Sequence, residues 1–389
     1  SFDGSGGDYF NNSSINGQQL SSLDLLQETP KAIPVGDKIF LSFKVEESPN
    51  ENLYFQFLEM DDLSQVGDAT AIADASTSKP GFEMTLGNDD NIYYAYSQSN
   101  FITIEKLNES GIEQWSVSGV TNSTATMDDV IKSVYPYPGD GCIIIYESAG
   151  QIEGIHIYAL ALDGSGQVQN GWPVSISDLS GDQLYESSAI TSEGIIISFR
   201  DKTSGNYDVY GQHVLFNGNL DFGPSGKTIS DGPNDQKSSS LAYDQILNKV
   251  LVCYEVPDGS NTDLYCKEID LSSSAIGSQV IISGHEYNQN NPFVFWSGHS
   301  FMIAWEDNRN SGTLNSGVDI YFQEYNSGYL TLPYGLEQLS LFAQKQERPI
   351  IVNYTEDDYL ILWEDYRSTG KEFCANLYGQ SFESVRCSS

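Results

Sequence analysis

Positive charge is what this sequence has least of. Among 389 residues there are 18 Lys and Arg against 54 Asp and Glu, a formal charge of −36. A surface of that sign repels phosphate backbones and anionic lipid, which excludes a nucleic-acid role. No apolar run approaches the roughly 20 residues that cross a bilayer, so no membrane span is expected. Histidine is scarce too: His156, His213, His285 and His299. None belongs to a nucleophile signature, and G-x-S-x-G, H-E-x-x-H and P-loop strings are all missing. The five cysteines include no C-x-x-C, which argues against a structural zinc site. Methionine is sparse, while 35 Gly, 24 Tyr and 18 Phe favour strands and turns over helices.

What the sequence does contain is one hairpin, repeated. Phe301–Tyr325 reads as an almost wholly apolar strand closed by Trp305, a polar loop, and a half-buried partner opening at Asp319-Ile320-Tyr321. Aligned on the closing aromatic, the series is Phe43, Tyr96, Tyr146, Phe199, Tyr254, Trp305 and Trp363. Successive spacings are 53, 50, 53, 55, 51 and 58 residues. Partner strands recur at residues 52–56, 101–104, 156–158, 208–212, 263–265, 319–323 and 376–380. A short strand precedes each apolar run, and another follows the partner, often after a Gly-rich turn such as Asp163-Gly164-Ser165-Gly166. Four short antiparallel strands in each of seven units predict an all-β fold, a seven-bladed β-propeller. The apolar strand lacks polar alternation because it is expected to lie between neighbouring blades.

The last unit stops after its third strand, near Phe382. Gln338 lies 25 residues before Trp363, and Gln18 lies 25 before Phe43. Residues 17–25 are therefore expected to complete the blade formed by 348–383, closing the ring. The reading is a single domain over 17–389, with residues 1–16 as a flexible lead. The sequence begins at SFDGSGG, as a processed secreted protein or a trimmed one would.

The recurring polar residues belong to the string Trp-Glu-Asp-x-Arg. It is complete at Trp305, Asp307, Arg309 and at Trp363, Asp365, Arg367, with a relic at Phe199-Arg200-Asp201-Lys202. Its Asp can accept amides of the following turn, and Arg309 can pair with an acid of its hairpin, such as Asp319. Together with Tyr321 these are expected to be structural, since a fold motif repeats and an active site usually does not. Cys253 and Cys266 lie on two arms of one hairpin at similar distances from its tip, which predicts a cross-strand disulfide and an oxidising compartment. Cys374 and Cys387 flank a strand and are too far apart to bond. The pairing of Cys142, Cys374 and Cys387 is otherwise open. No catalytic residue and no cofactor is assigned. Acidic loops at Asp61-Asp62, Asn88–Asn91, Asp128-Asp129 and Glu356–Asp358 carry oxygen ligands suited to Ca²⁺, but without EF-hand spacing.

The unit Trp-x-Asp-x-Arg…Asp-Ile-Tyr-x-Gln…Asp-x-x-Gly…Trp resembles the propeller repeat of large secreted bacterial surface proteins. Many of these are exported by the type IX pathway with a separate C-terminal sorting domain. The sequence ends shortly after the last unit, so such a domain was removed or the export route differs. The resemblance implies an extracellular or cell-surface location and a binding, adhesion or assembly task with a protein or glycan partner, in a larger extracellular assembly or alone. Sialidase-type propellers are a rival, but their Ser-x-Asp-x-Gly-x-x-Trp turns are absent. Arg200, Arg309, Arg348, Arg367 and Arg386 are too few to supply a convincing arginine triad. The alternative function is a carbohydrate-active hydrolase or lyase with paired carboxylates in the central channel.

Overall fold

Alternation within the apolar strands decides the architecture. In Phe301–Asp307 every residue is buried. Phe301, Ile303 and Trp305 pack with Leu251, Cys253, Leu264 and Cys266 of the hairpin before. Met302 and Ala304 point the other way, onto Ile351, Ile361 and Trp363 of the hairpin after. Successive side chains leave a strand on opposite faces, so both faces of this strand need apolar cover. That is why it reads as a continuous hydrophobic run. Burying each such side chain contributes about 1.5–3 kcal/mol.

The computed structural model describes residues 20–23, 27–47, 50–72, 81–98, 101–118, 129–150, 154–310, 317–326, 329–330, 337–339, 345–353, 358–365 and 376–383. Among them every regular element is a strand, and the strands form seven antiparallel sheets. No helix is long and apolar enough to cross a membrane. The chain divides into two compact units. One holds Ser14–Tyr185 with Val214–Leu220; the other holds Glu186–His213 with Asp221–Ser389.

The first unit carries three four-stranded sheets. Sheet one is Gln27–Val35, Lys38–Glu47, Asn50–Glu59 and Gln65–Ala71. Sheet two is Phe82–Leu86, Ile92–Gln98, Phe101–Leu107 and Glu113–Ser118. Sheet three is Asp129–Tyr137, Gly141–Gly150, Gly154–Leu162 and Val174–Ser175. Phe40, Phe55 and Phe57 of sheet one pack on Phe82, Tyr94 and Tyr96 of sheet two. The opposite face of sheet one, with Leu41, Phe43 and Val45, is met by Leu20 and Leu23.

The second unit carries the rest, except that Gln183–Tyr185 and Val214–Leu215 of sheet four belong to the first. Sheet four is Gln183–Ile190, Gly194–Asp201, Asp208–Leu215 and Lys227–Ser230. Sheet five is Lys237–Asp244, Lys249–Asp258 and Asn261–Asp270, with Ala275–Ile276 and Val280–Ser283 both pairing to its third strand. Sheet six is Gln289–Trp296, Phe301–Asp307 and Asp319–Asn326, with Tyr329–Leu330 and Glu337–Gln338 on its third strand. Sheet seven is Gln346–Asn353, Asp358–Asp365 and Asn376–Glu383. Val250, Val252 and Tyr254 of sheet five face Ile196 and Val209 of sheet four.

In most sheets the closing aromatic of the second strand is in register with a Tyr on the third, while in sheet two Tyr96 is opposite Thr103. Phe43 pairs with Tyr54, Tyr146 with Tyr158, Tyr254 with Tyr265, Trp305 with Tyr321 and Trp363 with Tyr378. The rings stack at 5.5 Å for Tyr146–Tyr158 and 6.1 Å for Trp305–Tyr321. Such aromatic pairs add about 0.5–1.5 kcal/mol beyond area burial. The disulfide expected from sequence is present. Cys253 and Cys266 are directly opposite in sheet five, with Cα atoms 4.0 Å apart. Cys142 is a buried free thiol, and burial pushes its pKa up. Cys374, Cys387 and residues 17–19 and 24–25 of the proposed closing segment 17–25 lie outside the described residues.

Candidate functional site

The Trp-Glu-Asp-x-Arg string forms a closed box at the end of sheet six. Asp307 Oδ1 accepts the Arg309 amide at 2.8 Å, the expected turn. Its Oδ2 accepts Trp305 Nε1 at 3.1 Å and the Arg309 guanidinium. That guanidinium also donates to Ser283 Oγ at 2.9 Å and lies 4.0 Å from the centroid of Tyr321. The acid suggested by sequence as the Arg309 partner, Asp319, receives Asn310 Nδ2 at 2.7 Å. Asp307 and Asp319 face each other in register and are fully buried. In sheet seven Trp363 is buried against Ile351 and Ile361, while Arg367 and the Asp365 side chain lie outside the described residues.

A second polar system runs between sheets, carried by the residue after each closing aromatic. The first strands are bulged, with register shifts between Lys237 and Ser239, Asn290 and Phe293, and Glu347 and Ile350. The bulge residues Ser238, Asn291 and Arg348 have φ of 21°, 51° and 56°. A bulge leaves one amide outside its own ladder, and a buried amide needs an acceptor. Asn291 N donates to Glu255 Oε1 at 2.8 Å, and Arg348 N to Glu306 Oε1 at 2.8 Å. Asn291 Nδ2 reaches Glu306 Oε2 at 3.0 Å, so the two glutamates are joined through one side chain. In the other unit Tyr185 N donates to Glu147 Oε1 at 2.7 Å and Ile131 N to Ser97 Oγ at 3.0 Å. In sheet four the corresponding position is Arg200, which pairs with Glu186. Glu186 Oε2 accepts Ser239 N at 3.2 Å, so a charge-reversed pair performs the same link. Burial pushes the Glu255 and Glu306 carboxyls above the usual range, although the Asn291 and Arg348 amides respectively pull them back.

A glutamine at the head of the first strand also recurs. Gln183, Gln236, Gln289 and Gln346 are each at most 2% exposed. Gln183 Oε1 accepts Ile157 N at 3.2 Å, and Gln236 Oε1 accepts Ser230 Oγ at 3.0 Å. Neither these glutamines nor the linking glutamates stand out in a composition scan. Their signal is spacing: Gln183, Gln236 and Gln289 recur at 53 residues, the repeat period itself.

Among the histidines, His213 is buried on sheet four. Its Nε2 lies 2.9 Å from Thr191 Oγ1 and its Nδ1 3.3 Å from Asp221 Oδ2. Burial lowers its pKa against the pull of Asp221. Thr191 Oγ1 also accepts Gly194 N at 3.0 Å, so this trio ties a hairpin turn. Of the acidic loops, Asp62 Oδ1 caps the Ser64 amide at 2.9 Å. Asp89 pairs with Lys106 Nζ at 2.6 Å. Asp129 is fully buried, and Asp128, Glu356 and Asp357 lie outside the described residues. No group of three or more His, Cys, Asp or Glu side chains suited to a metal occurs among the described residues.

No protein-family model and no curated protein matches the chain. Three of the solved structures similar to this chain align with it as follows. A protein of unknown function from Dyadobacter fermentans does so at 11% identity over 92% of this chain and 95% of its own, with a TM-score of 0.47. The Dos1 propeller aligns at 10% identity over 83% of this chain and 71% of its own, TM-score 0.48. An α-L-arabinofuranosidase of Fusarium graminearum, in complex with arabinobiose, aligns at 10% identity over 78% and 92%, TM-score 0.43.

Proposed function

We propose that the seven sheets are the blades of one seven-bladed β-propeller over residues 17–389, secreted and serving as a non-enzymatic binding, adhesion or assembly module for a protein or glycan. The observation that carries the reading is the employment of the recurring polar residues. The Asp, Glu and Arg of the repeat are bonded to bulge amides, turn amides and each other, which is a fold's use of charge. With those residues engaged in the fold among the described residues, ligand recognition is left to residues that differ between repeats. The buried disulfide fits an oxidising, extracellular setting. The relation of Leu20 and Leu23 to Phe43 supports ring closure. They cover the same face of sheet one that Leu339, beside the last strand of sheet six, covers on Trp363 of sheet seven.

A second reading is a carbohydrate-active hydrolase or lyase. It is favoured by Glu255 and Glu306, two buried carboxyls with raised pKa joined through Asn291. A glycan array combined with a polysaccharide-turnover screen separates the two. Saturable binding without product supports the module. Steady product release that is lost in Glu306→Gln supports the enzyme and removes the first reading.

A further inference from the structure

Sheets four and six close their central hairpins on the same pair of carboxylates. Asp307 ends one strand of sheet six and Asp319 begins the next. In sheet four Asp201 and Asp208 hold those places. Asp201 is 1% exposed and Asp208 4%. The turn is conserved within the chain: Asp201 Oδ1 accepts Thr203 N at 2.7 Å, as Asp307 Oδ1 accepts Arg309 N at 2.8 Å. The residues that serve the second oxygen are not. Phe199 stands where Trp305 would donate its indole N–H, and Thr203 stands where Arg309 would donate its guanidinium. Asp201 Oδ2 is accordingly buried with no hydrogen-bond partner.

The rest of the loop does not compensate. Asp208 receives Ser204 Oγ at 2.6 Å and Gly232 N at 3.3 Å, both neutral donors. Arg200 pairs with Glu186 and lies 5.3 Å from the Tyr207 ring centroid. Lys202 Nζ lies 5.1 Å from that same centroid. Tyr210 feels the carboxylates together: burial and then the charges of Asp208, Asp201 and Asp231 raise its pKa, against a hydrogen bond to Thr228. A buried carboxylate without a counter-charge is costly, so a partner for Asp201 is missing.

We infer that the Asp201–Asp208 hairpin end is a calcium site, in which Ca²⁺ takes the place that the Arg309 guanidinium fills in sheet six. The two carboxylates supply the charge; carbonyls of the intervening loop and water complete an all-oxygen set. With only two carboxylates, affinity falls in the range of extracellular modules, roughly 10⁻⁴–10⁻³ M.

The test is thermal unfolding of the full chain, stripped with chelator, with and without millimolar Ca²⁺ at constant ionic strength. The unfolding midpoint of the wild type is expected to rise by about 0.5–2 °C. Phe199→Trp/Thr203→Arg rebuilds the box of sheet six and should be insensitive to Ca²⁺, as should Asp201→Asn. No shift in the wild type overturns the inference. So does a shift that survives in either variant, since the ion then binds elsewhere on the acidic surface.

Discussion

Glu255 does a job usually given to a backbone carbonyl. Its carboxylate takes the one amide that the bulge at Asn291 frees from the ladder. Glu255→Ala should leave that part-buried amide without its acceptor, costing about 1 kcal/mol in urea unfolding. Glu255→Gln keeps an acceptor and removes a buried charge, so it should lie within about 1 kcal/mol of wild type at neutral pH. The pH dependence has a definite sign. Burial raises the folded-state pKa of Glu255 above its ordinary 4.5. Its contribution is therefore fully present below 4.5 and is lost as pH rises through the raised value. Relative to Glu255→Gln, the wild type should lose stability across that window. A flat difference would show that Glu255 is not ionising there. Asp307→Ala should be harsher, about 3–5 kcal/mol, because it strands the Arg309 guanidinium in a buried box.

At the scale of the element, glycines in the turns between third and fourth strands make room for aromatics of the preceding sheet. Gly166 has φ of +81°, and a Cβ there would lie 3.1 Å from the Trp115 ring, whose Nε1 donates to Gly164 O at 3.0 Å. Gly111, at φ +76°, would put a Cβ 2.6 Å from Phe55. Gly218, at φ +84°, faces Trp172. This is the physical content of the Asp-x-x-Gly…Trp pattern. Gly111→Ala should therefore destabilise by more than the roughly 1 kcal/mol of backbone strain alone, and more than Ala at Gly139, where nothing lies within 4 Å. Thermal midpoints of the two variants decide it. The disulfide of sheet five spans 13 residues of sequence, so Cys253→Ala/Cys266→Ala should cost about 2–4 kcal/mol. An unchanged midpoint would mean that the hairpin is fully ordered by Tyr254, Tyr265 and its other strand partners.

At the scale of the whole molecule, the proposed ring closure makes a specific prediction. In sheet six Gln338 pairs with Tyr321. By the repeat, Gln18 should oppose Tyr378. Gln18→Cys/Tyr378→Cys should form an intramolecular disulfide on mild oxidation, read by mass spectrometry of the digested protein. Its failure to form, with both cysteines reactive to alkylation, would refute closure by residues 17–25. At the level of strands much was legible beforehand. The second strands, their partners and the cross-strand disulfide follow from period and alternation alone. Less legible were the Glu255, Glu306 and Gln183-type links. They look like ordinary surface residues until the bulge at the next sheet supplies an amide to accept. The pairing of Arg309 with Asp307 was equally hidden, since sequence places Asp307 and Asp319 at comparable reach.

By itself the sequence determined the strand identities and which residues must be buried on both faces. Those follow from local chemistry: aromatic and β-branched runs, turn glycines and a period near 53 residues. Only the tertiary structure decided which acid meets which donor. Hydrogen bonds are settled within a few ångströms, and the positions that meet here, such as Glu306 and Arg348, are brought together by sheets packing rather than by chain proximity. The same reason separates sheet four from sheet six. Their aspartates occupy equivalent positions in the sequence, but only the folded hairpin shows that Asp201 keeps a buried oxygen for which its own chain provides no donor.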